Sequence, residues 1–286
     1  MTTELEFLTS PEGKPIETSA KQPVSIAAQS LTLGYDNKRV CEQLSLTIPP
    51  RQFTVIIGPN GCGKSTLLKS LCRLLKPLAG TILLDGKDIH RWPTKEVAKK
   101  IGLLPQSANS PNGIRVYDLV ARGRYPHQSV FRQWSDEDKQ AVEQAMVDAN
   151  VTELAQQTVD SLSGGQRQRV WIAMVLAQQT PTLMLDEPTT YLDIAHQIEL
   201  LDLFKTLNIE QGRTVVAVLH DLNQACRYAD HVIALAEGEL IAQGAPQTII
   251  DSALVERVFG LKSEVVPDPV TGTPMIVPLS RWAAKT

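Results

Sequence analysis

The sequence predicts an α/β fold: a mainly parallel sheet covered by helices, with an N-terminal antiparallel β subdomain and an inserted helical subdomain. Three observations carry this. Apolar runs of strand length recur at Phe53–Ile57, Ile101–Leu104, 182–185, 214–219 and 231–235, with helical segments between most of them. Runs that are apolar at every position belong to strands buried on both faces, as in parallel sheets. The first of these runs feeds a glycine-rich turn and then residues 64–75, of helical character, which together make half of a βαβ unit. Between Gln106 and Gln179 the strand signals fade and helical ones replace them.

Taken in order, residues 1–23 carry Glu4, Glu6, Pro11, Glu12 and Pro15 and lack the apolar run of a secretory signal, so a loose tail is expected there. From Val24 the chain turns to short β-type runs, at 24–28 and 44–48, ahead of Phe53–Ile57. The helical subdomain is placed at about 107–180, with helices over 136–150 and 166–178 and Ser135 as the N-cap of the first. Residues 265–278 are rich in Pro and Gly and predict a hairpin or an irregular packed segment, followed by a tail at 279–286. The sequence shows no internal repeat and no low-complexity tract.

Composition narrows the function classes. With 286 residues and 43% hydrophobic content the chain can bury a sizeable core, which excludes disorder throughout. A net charge of −3 offers no general positive field for nucleic acid. Cys41, Cys62, Cys72 and Cys226 form no CxxC pair and no ligand cluster with the five histidines, which suits reduced thiols. The longest apolar stretches, near 215–219 and 232–236, fall far short of the ~20 residues that span a bilayer, so membrane association is expected through a partner.

The chemistry sits in three motifs. Gly58-Pro59-Asn60-Gly61-Cys62-Gly63-Lys64-Ser65, continuing to Thr66, is a G-x-x-x-x-G-K-[ST] phosphate loop. Its glycines let backbone N–H groups curl around phosphates at a helix N-terminus, Lys64 adds a positive charge and Ser65 a magnesium ligand. An apolar strand then ends in two carboxylates, Asp186 and Glu187. The first can hold magnesium and the second can act as general base toward water. Guanine specificity is disfavoured, because no N-K-x-D segment is present. Third, Leu162-Ser163-Gly164-Gly165-Gln166 sets exposed N–H groups at a second helix start. Two phosphate-binding ends about a hundred residues apart are most simply used by two copies, each closing over the other's nucleotide in a two-fold dimer. His220 ends the apolar run 214–219, on the same sheet edge as Asp186 and the phosphate loop, whereas His90, His127, His196 and His231 read as structural.

These motifs, in this order, resemble the ATP-binding subunits of ABC transporters over about residues 24–278. The resemblance implies a RecA-like P-loop NTPase domain, ATP and Mg2+ as cofactors, and a dimer. It further implies that Tyr35 stacks on adenine, that Gln106 senses magnesium and the permease, that Asp193 communicates across the dimer and that His220 stands near the γ-phosphate. Three longer segments, at 121–127, 186–197 and 267–274, are similar to the ATPase subunits of ferric-siderophore importers, a group that includes cobalamin and haem uptake systems. That resemblance implies a peripheral subunit on the cytoplasmic face of the inner membrane, partnered by permease subunits and indirectly by a substrate-binding protein. Arg122 and Arg124 are expected in the zone that receives the permease's coupling helix. A non-transport ABC ATPase is the rival class; the coiled-coil insertions, zinc cysteines and fused second ATPase half typical of it are missing from the sequence.

Overall fold

The computed structural model describes residues 24–35, 38–106, 110–128, 134–190 and 192–279. The expected tails at 1–23 and 279–286 lie outside these residues, Leu279 excepted. Strands β1 (Ile26–Tyr35) and β2 (Lys38–Ile48) pair antiparallel, with Ile26 opposite Ile48. Strand β3 (Phe53–Ile57) leads through the phosphate loop into helix α1 (Lys64–Leu71). That helix is one turn shorter than expected, because Arg73 takes a left-handed φ of 64° just beyond it. Strands β4 (Ala79–Leu84) and β5 (Lys87–Asp88) complete an antiparallel sheet of order β2-β1-β4-β5.

Helix α2 (Thr94–Lys100) and strand β6 (Ile101–Leu104) precede the helical layer, made of α3 (Val116–Ala121), α4 (Asp136–Asp148) and α5 (Gly164–Ala177). Ser135 caps α4 in a capping box with Asp138, as its residue type foretold. Then come β7 (Thr182–Asp186), α6 (Ile194–Gln211), β8 (Thr214–Val218), α7 (Leu222–Tyr228), β9 (His231–Ala236) and β10 (Glu239–Gly244). Helices α8 (Pro246–Ile249) and α9 (Ser252–Phe259) lead to the hairpin of β11 (Ser263–Pro267) and β12 (Pro274–Pro278).

The central sheet has the order β10-β9-β3-β8-β7-β6 and is parallel apart from β10. Every residue of β3, β7 and β8 is buried, which is why these strands read as unbroken apolar runs. Successive side chains enter opposite cores. Phe53, Val55, Leu183, Val215 and Ala217 pack with the helical layer, while Ile56, Met184, Val216 and Val218 pack with α1 and the antiparallel sheet. The carboxyl ends of β3, β8 and β7 therefore lie side by side, the place where open α/β sheets bind ligands.

One expectation is corrected here. Arg124 does not face a partner: it is 2% exposed, and its guanidinium donates to Asp138 at 2.8 Å, to the Ala177 carbonyl at 2.8 Å and to Gln179 at 2.9 Å. The turn that carries it is pressed onto α5, since a Cβ on Gly123 would stand 2.2 Å from the Met174 carbonyl oxygen. Arg122 stays exposed. No helix among the described residues is long and apolar enough to cross a membrane.

Candidate functional site

The site begins where β3 stops. Gly58 takes φ 153° and a Cβ there would lie 2.2 Å from the Leu235 carbonyl oxygen of β9, so only glycine lets the loop leave the sheet at this point. Gly63, at φ 104°, caps α1 in the left-handed region with Cys41 Sγ against it. Between them Asn60 and Gly61 are exposed, while Lys64 and Thr66, just beyond, are buried. Lys64 Nζ donates to the Gly58 and Pro59 carbonyls at 2.8 and 2.9 Å, so its charge is held inside the loop. Cys41 Sγ donates to the Cys62 carbonyl. Burial pushes the Cys41 thiol up to about 11 and the Cys226 thiol up to about 12, and raises Cys62 and Cys72 as well.

Next to the loop, Ser65 Oγ donates to Asp186 Oδ1 at 2.8 Å. Burial pushes the Asp186 carboxyl up, the Ser65 hydrogen bond opposes this, and the charge of Glu187 raises it further. A buried acid raised in this way, with a hydroxyl oxygen beside it, is the hard oxygen pair that a small divalent cation accepts. Glu187 adopts a left-handed φ of 52°, which turns its side chain out of the strand's alternation and toward the same edge. Its Oε2 accepts from Gln106 Nε2 at 2.7 Å and from Thr190 Oγ1 at 3.4 Å, and its Oε1 lies 2.7 Å from His220 Nε2. Gln106 and His220, singled out from distant parts of the sequence, thus meet at the Glu187 carboxylate. Gln106 is bound to Glu187 here, not to Ser65 or Asp186.

Ser163 caps α5 through Gln166: Ser163 Oγ accepts from Gln166 N, and Gln166 Oε1 accepts from Ser163 N. This fixes the helix start; among the described residues a Cβ on Gly164 would meet nothing within 4 Å, and one on Gly165 would meet the Leu192 side chain at 3.3 Å. Among the described residues no hydrogen bond joins residues 163–166 to the phosphate loop. Asp193 caps α6, accepting from His196 N at 3.0 Å, and is exposed. The backbone and side-chain hydrogen bonds from His196 lower its carboxyl. Tyr35 ends β1 with 47% of its surface exposed. The sequence reading overlooked Thr190 and Gln168; the latter holds the Pro188 carbonyl at 3.1 Å, just past Glu187. Only its place beside the Ser-Gly-Gly segment could have drawn attention to it.

A phosphate loop and a buried acid with a carboxylate clamped beside it make one surface suited to nucleotide hydrolysis, and the capped glycine pair lies on a separate surface. The family model described as "ABC transporter" matches residues 41–190 of the chain. The chain belongs to this ABC transporter family. It is 58% identical over 261 residues to the ferric enterobactin transport ATP-binding protein FepC of Escherichia coli (strain K12), covering 91% of this chain and 96% of that one. A solved ABC transporter described as of metal-chelate type, in an inward-facing conformation, superposes with a TM-score of 0.76 at 30% identity, covering 90% of this chain and 98% of that one. The dimeric cassette MJ0796, in a post-hydrolysis state bound to ADP and Pi, superposes with a TM-score of 0.69 at 29% identity, over 77% and 98% of the two chains. As an ABC ATPase the protein binds and hydrolyses ATP.

Proposed function

We propose that this ABC ATPase powers the import of an iron(III)-siderophore complex through membrane permease subunits, working as a head-to-tail homodimer on the cytoplasmic face of the membrane. The single observation that carries the catalytic part is the Glu187 carboxylate, hydrogen-bonded by Gln106 and held to His220, one residue from the Ser65–Asp186 pair. The cargo is read from the relative named for ferric enterobactin transport and from the three ferric-siderophore-like segments. Permease and substrate-binding protein follow from the same family reading.

In this mechanism the backbone N–H groups from Gly58 to Thr66 cradle the ATP phosphates, and Lys64 exchanges its two loop carbonyls for phosphate oxygens. Ser65 and Asp186 would hold Mg2+, with Gln106 in reach of the same edge; when bound it neutralises the charge on the phosphates. Tyr35 offers its exposed ring to adenine. Ser163, Gly164, Gly165 and Gln166 of the second copy enclose the terminal phosphate, and Asp193 borders that contact. Glu187 orients water and takes its proton, while Lys64 and His220 stabilise the charge that develops on phosphate. Closure and reopening then act as a lever on the permease.

The test is Glu187→Gln. ATP binding is expected to persist while turnover falls about a hundredfold or more, as for loss of a general base, and ATP should trap a dimer visible by gel filtration. Phosphate release at the parent rate by that variant would remove Glu187 from the mechanism. Transport is checked separately, by co-purification with a polytopic permease and ATP-dependent uptake of ferric siderophore into vesicles. A permease-free ATPase leaves hydrolysis standing and removes the import claim.

A further inference from the structure

Residues 267–274, one of the three importer-like segments, form the turn of the β11–β12 hairpin, and the mechanism above gives that hairpin no task. Its contacts lead straight to the hydrolytic edge. Helix α7 has seven residues, too few to stand alone, so its position is set by the packing of Ala225, Cys226 and Tyr228 in the core and by the hydrogen bonds of its polar side chains. It starts immediately after His220, with Asp221 accepting from Asn223 N at 2.8 Å and Gln224 N at 2.9 Å.

On one side Gln224 Nε2 donates to Gln197 Oε1 at 3.0 Å. Gln197 Nε2 in turn donates to the Leu192 and Thr189 carbonyls at 2.9 and 3.4 Å, in the loop that leaves Glu187. On the other side the Asn223 amide takes both backbone polar groups of Ile276, accepting from its N–H at 2.7 Å and donating to its carbonyl at 3.3 Å. The amide thus substitutes for a neighbouring strand on the free edge of β12. One turn later Arg227 donates to Asp268 Oδ2 at 2.6 Å. The other oxygen of Asp268 accepts from Val270 N at 2.8 Å and Thr271 N at 3.0 Å, which shapes the hairpin turn. His220 itself is 46% exposed at its side chain, so packing alone does not fix it.

We propose that the β11–β12 hairpin is a brace for hydrolysis: Asn223, Arg227 and Asp268 are positioning residues that set His220, through α7, against Glu187. The inference rests on the reading of His220 as a phosphate-facing group. With one face of α7 anchored in the core, loss of the hairpin bonds lets the helix tilt and carries the exposed ring at its start with it, and a displacement of about 1 Å at a reacting group is enough to cost a large part of the rate.

Two variants test this. Asn223→Ala removes both bonds to Ile276, and Asp268→Asn removes the charge but keeps the size and the turn-shaping oxygen. Each is expected to lower kcat about tenfold, to leave the KM for ATP within about twofold, and to lower kcat no further when combined with His220→Ala. Unchanged turnover in both variants overturns the brace. So does a parallel loss of ATP binding and turnover, which means general unfolding, and so do losses that multiply with that of His220→Ala. If His220→Ala alone turns over like the parent, the reading of His220 fails first and the brace falls with it.

Discussion

At the scale of single residues the most consequential burial outside the nucleotide site is Arg124 with Asp138. Burial pushes the Asp138 carboxyl up, but hydrogen bonds from Arg124 and Ser135 outweigh this and hold it below the ordinary carboxylate value. A depressed folded pKa contributes stability above the unfolded value near 4 and loses it only as pH falls through the folded one. The pair is therefore intact through the neutral range. Arg124→Met leaves a buried carboxylate without its cation and should cost about 3–5 kcal/mol by urea denaturation at pH 7. Its pH dependence should change: with Arg124 gone only the Ser135 hydrogen bonds still oppose burial, so the carboxyl stands higher than in the parent and the stability gap between variant and parent narrows as pH falls toward the carboxylate range. Arg124→Met combined with Asp138→Leu should recover most of the loss, which separates the stranded charge from lost packing.

At the scale of elements the phosphate loop depends on the strand beside it. Gly58→Ala places a methyl against the Leu235 carbonyl of β9, a backbone atom that cannot step aside. Nucleotide titration should show ATP affinity reduced about tenfold or more, the effect of misaligned phosphate donors. Legibility in the sequence followed burial. Strands β3, β7, β8 and β9 were visible because both faces are covered, so no charged residue interrupts their interiors. Strands β4 and β10 were not, since Gly80, Glu239 and Gln243 break their apolar pattern at exposed positions. The start of α5 two residues earlier than expected reflects Gly164 and Gly165, poor helix formers that the Ser163 cap holds in place. Within the site, Lys64, Ser65, Asp186 and Glu187 were legible because motif chemistry names them. The tie of Gln106 and His220 to a single carboxylate was not, because it depends on loops from three strands converging. Arg124 was misread because its charge said surface, while its partner Asp138 lies 14 residues away on another helix.

For the whole molecule the decisive property is the proposed division of the site. The phosphate loop and residues 163–166 are separate surfaces of one chain, so the proposed dimer has two composite sites, each drawing one surface from each copy. Lys64→Ala damages one surface and Ser163→Arg the other. Each variant alone should be inactive. A mixture of the two forms heterodimers with one intact site, and phosphate release should return to about a quarter of the parent rate for random pairing. No recovery on mixing, in chains shown to exchange subunits, would mean that each chain hydrolyses ATP with its own surfaces.

The buried thiols bear on how such a motor survives its cargo. Oxidants and alkylating agents attack the thiolate, and with Cys41 held at about 11 and Cys226 at about 12 almost no thiolate exists at neutral pH. Cys62, inside the phosphate loop itself, is raised in the same direction and is buried. Under the proposed import of iron, which generates damaging radicals from peroxide, an ATPase with a reactive cysteine at its phosphates would be silenced by its own cargo. Burial that covers Cys62 and raises its thiol disfavours the thiolate, so alkylation of this cysteine at the phosphate loop is expected to be slow.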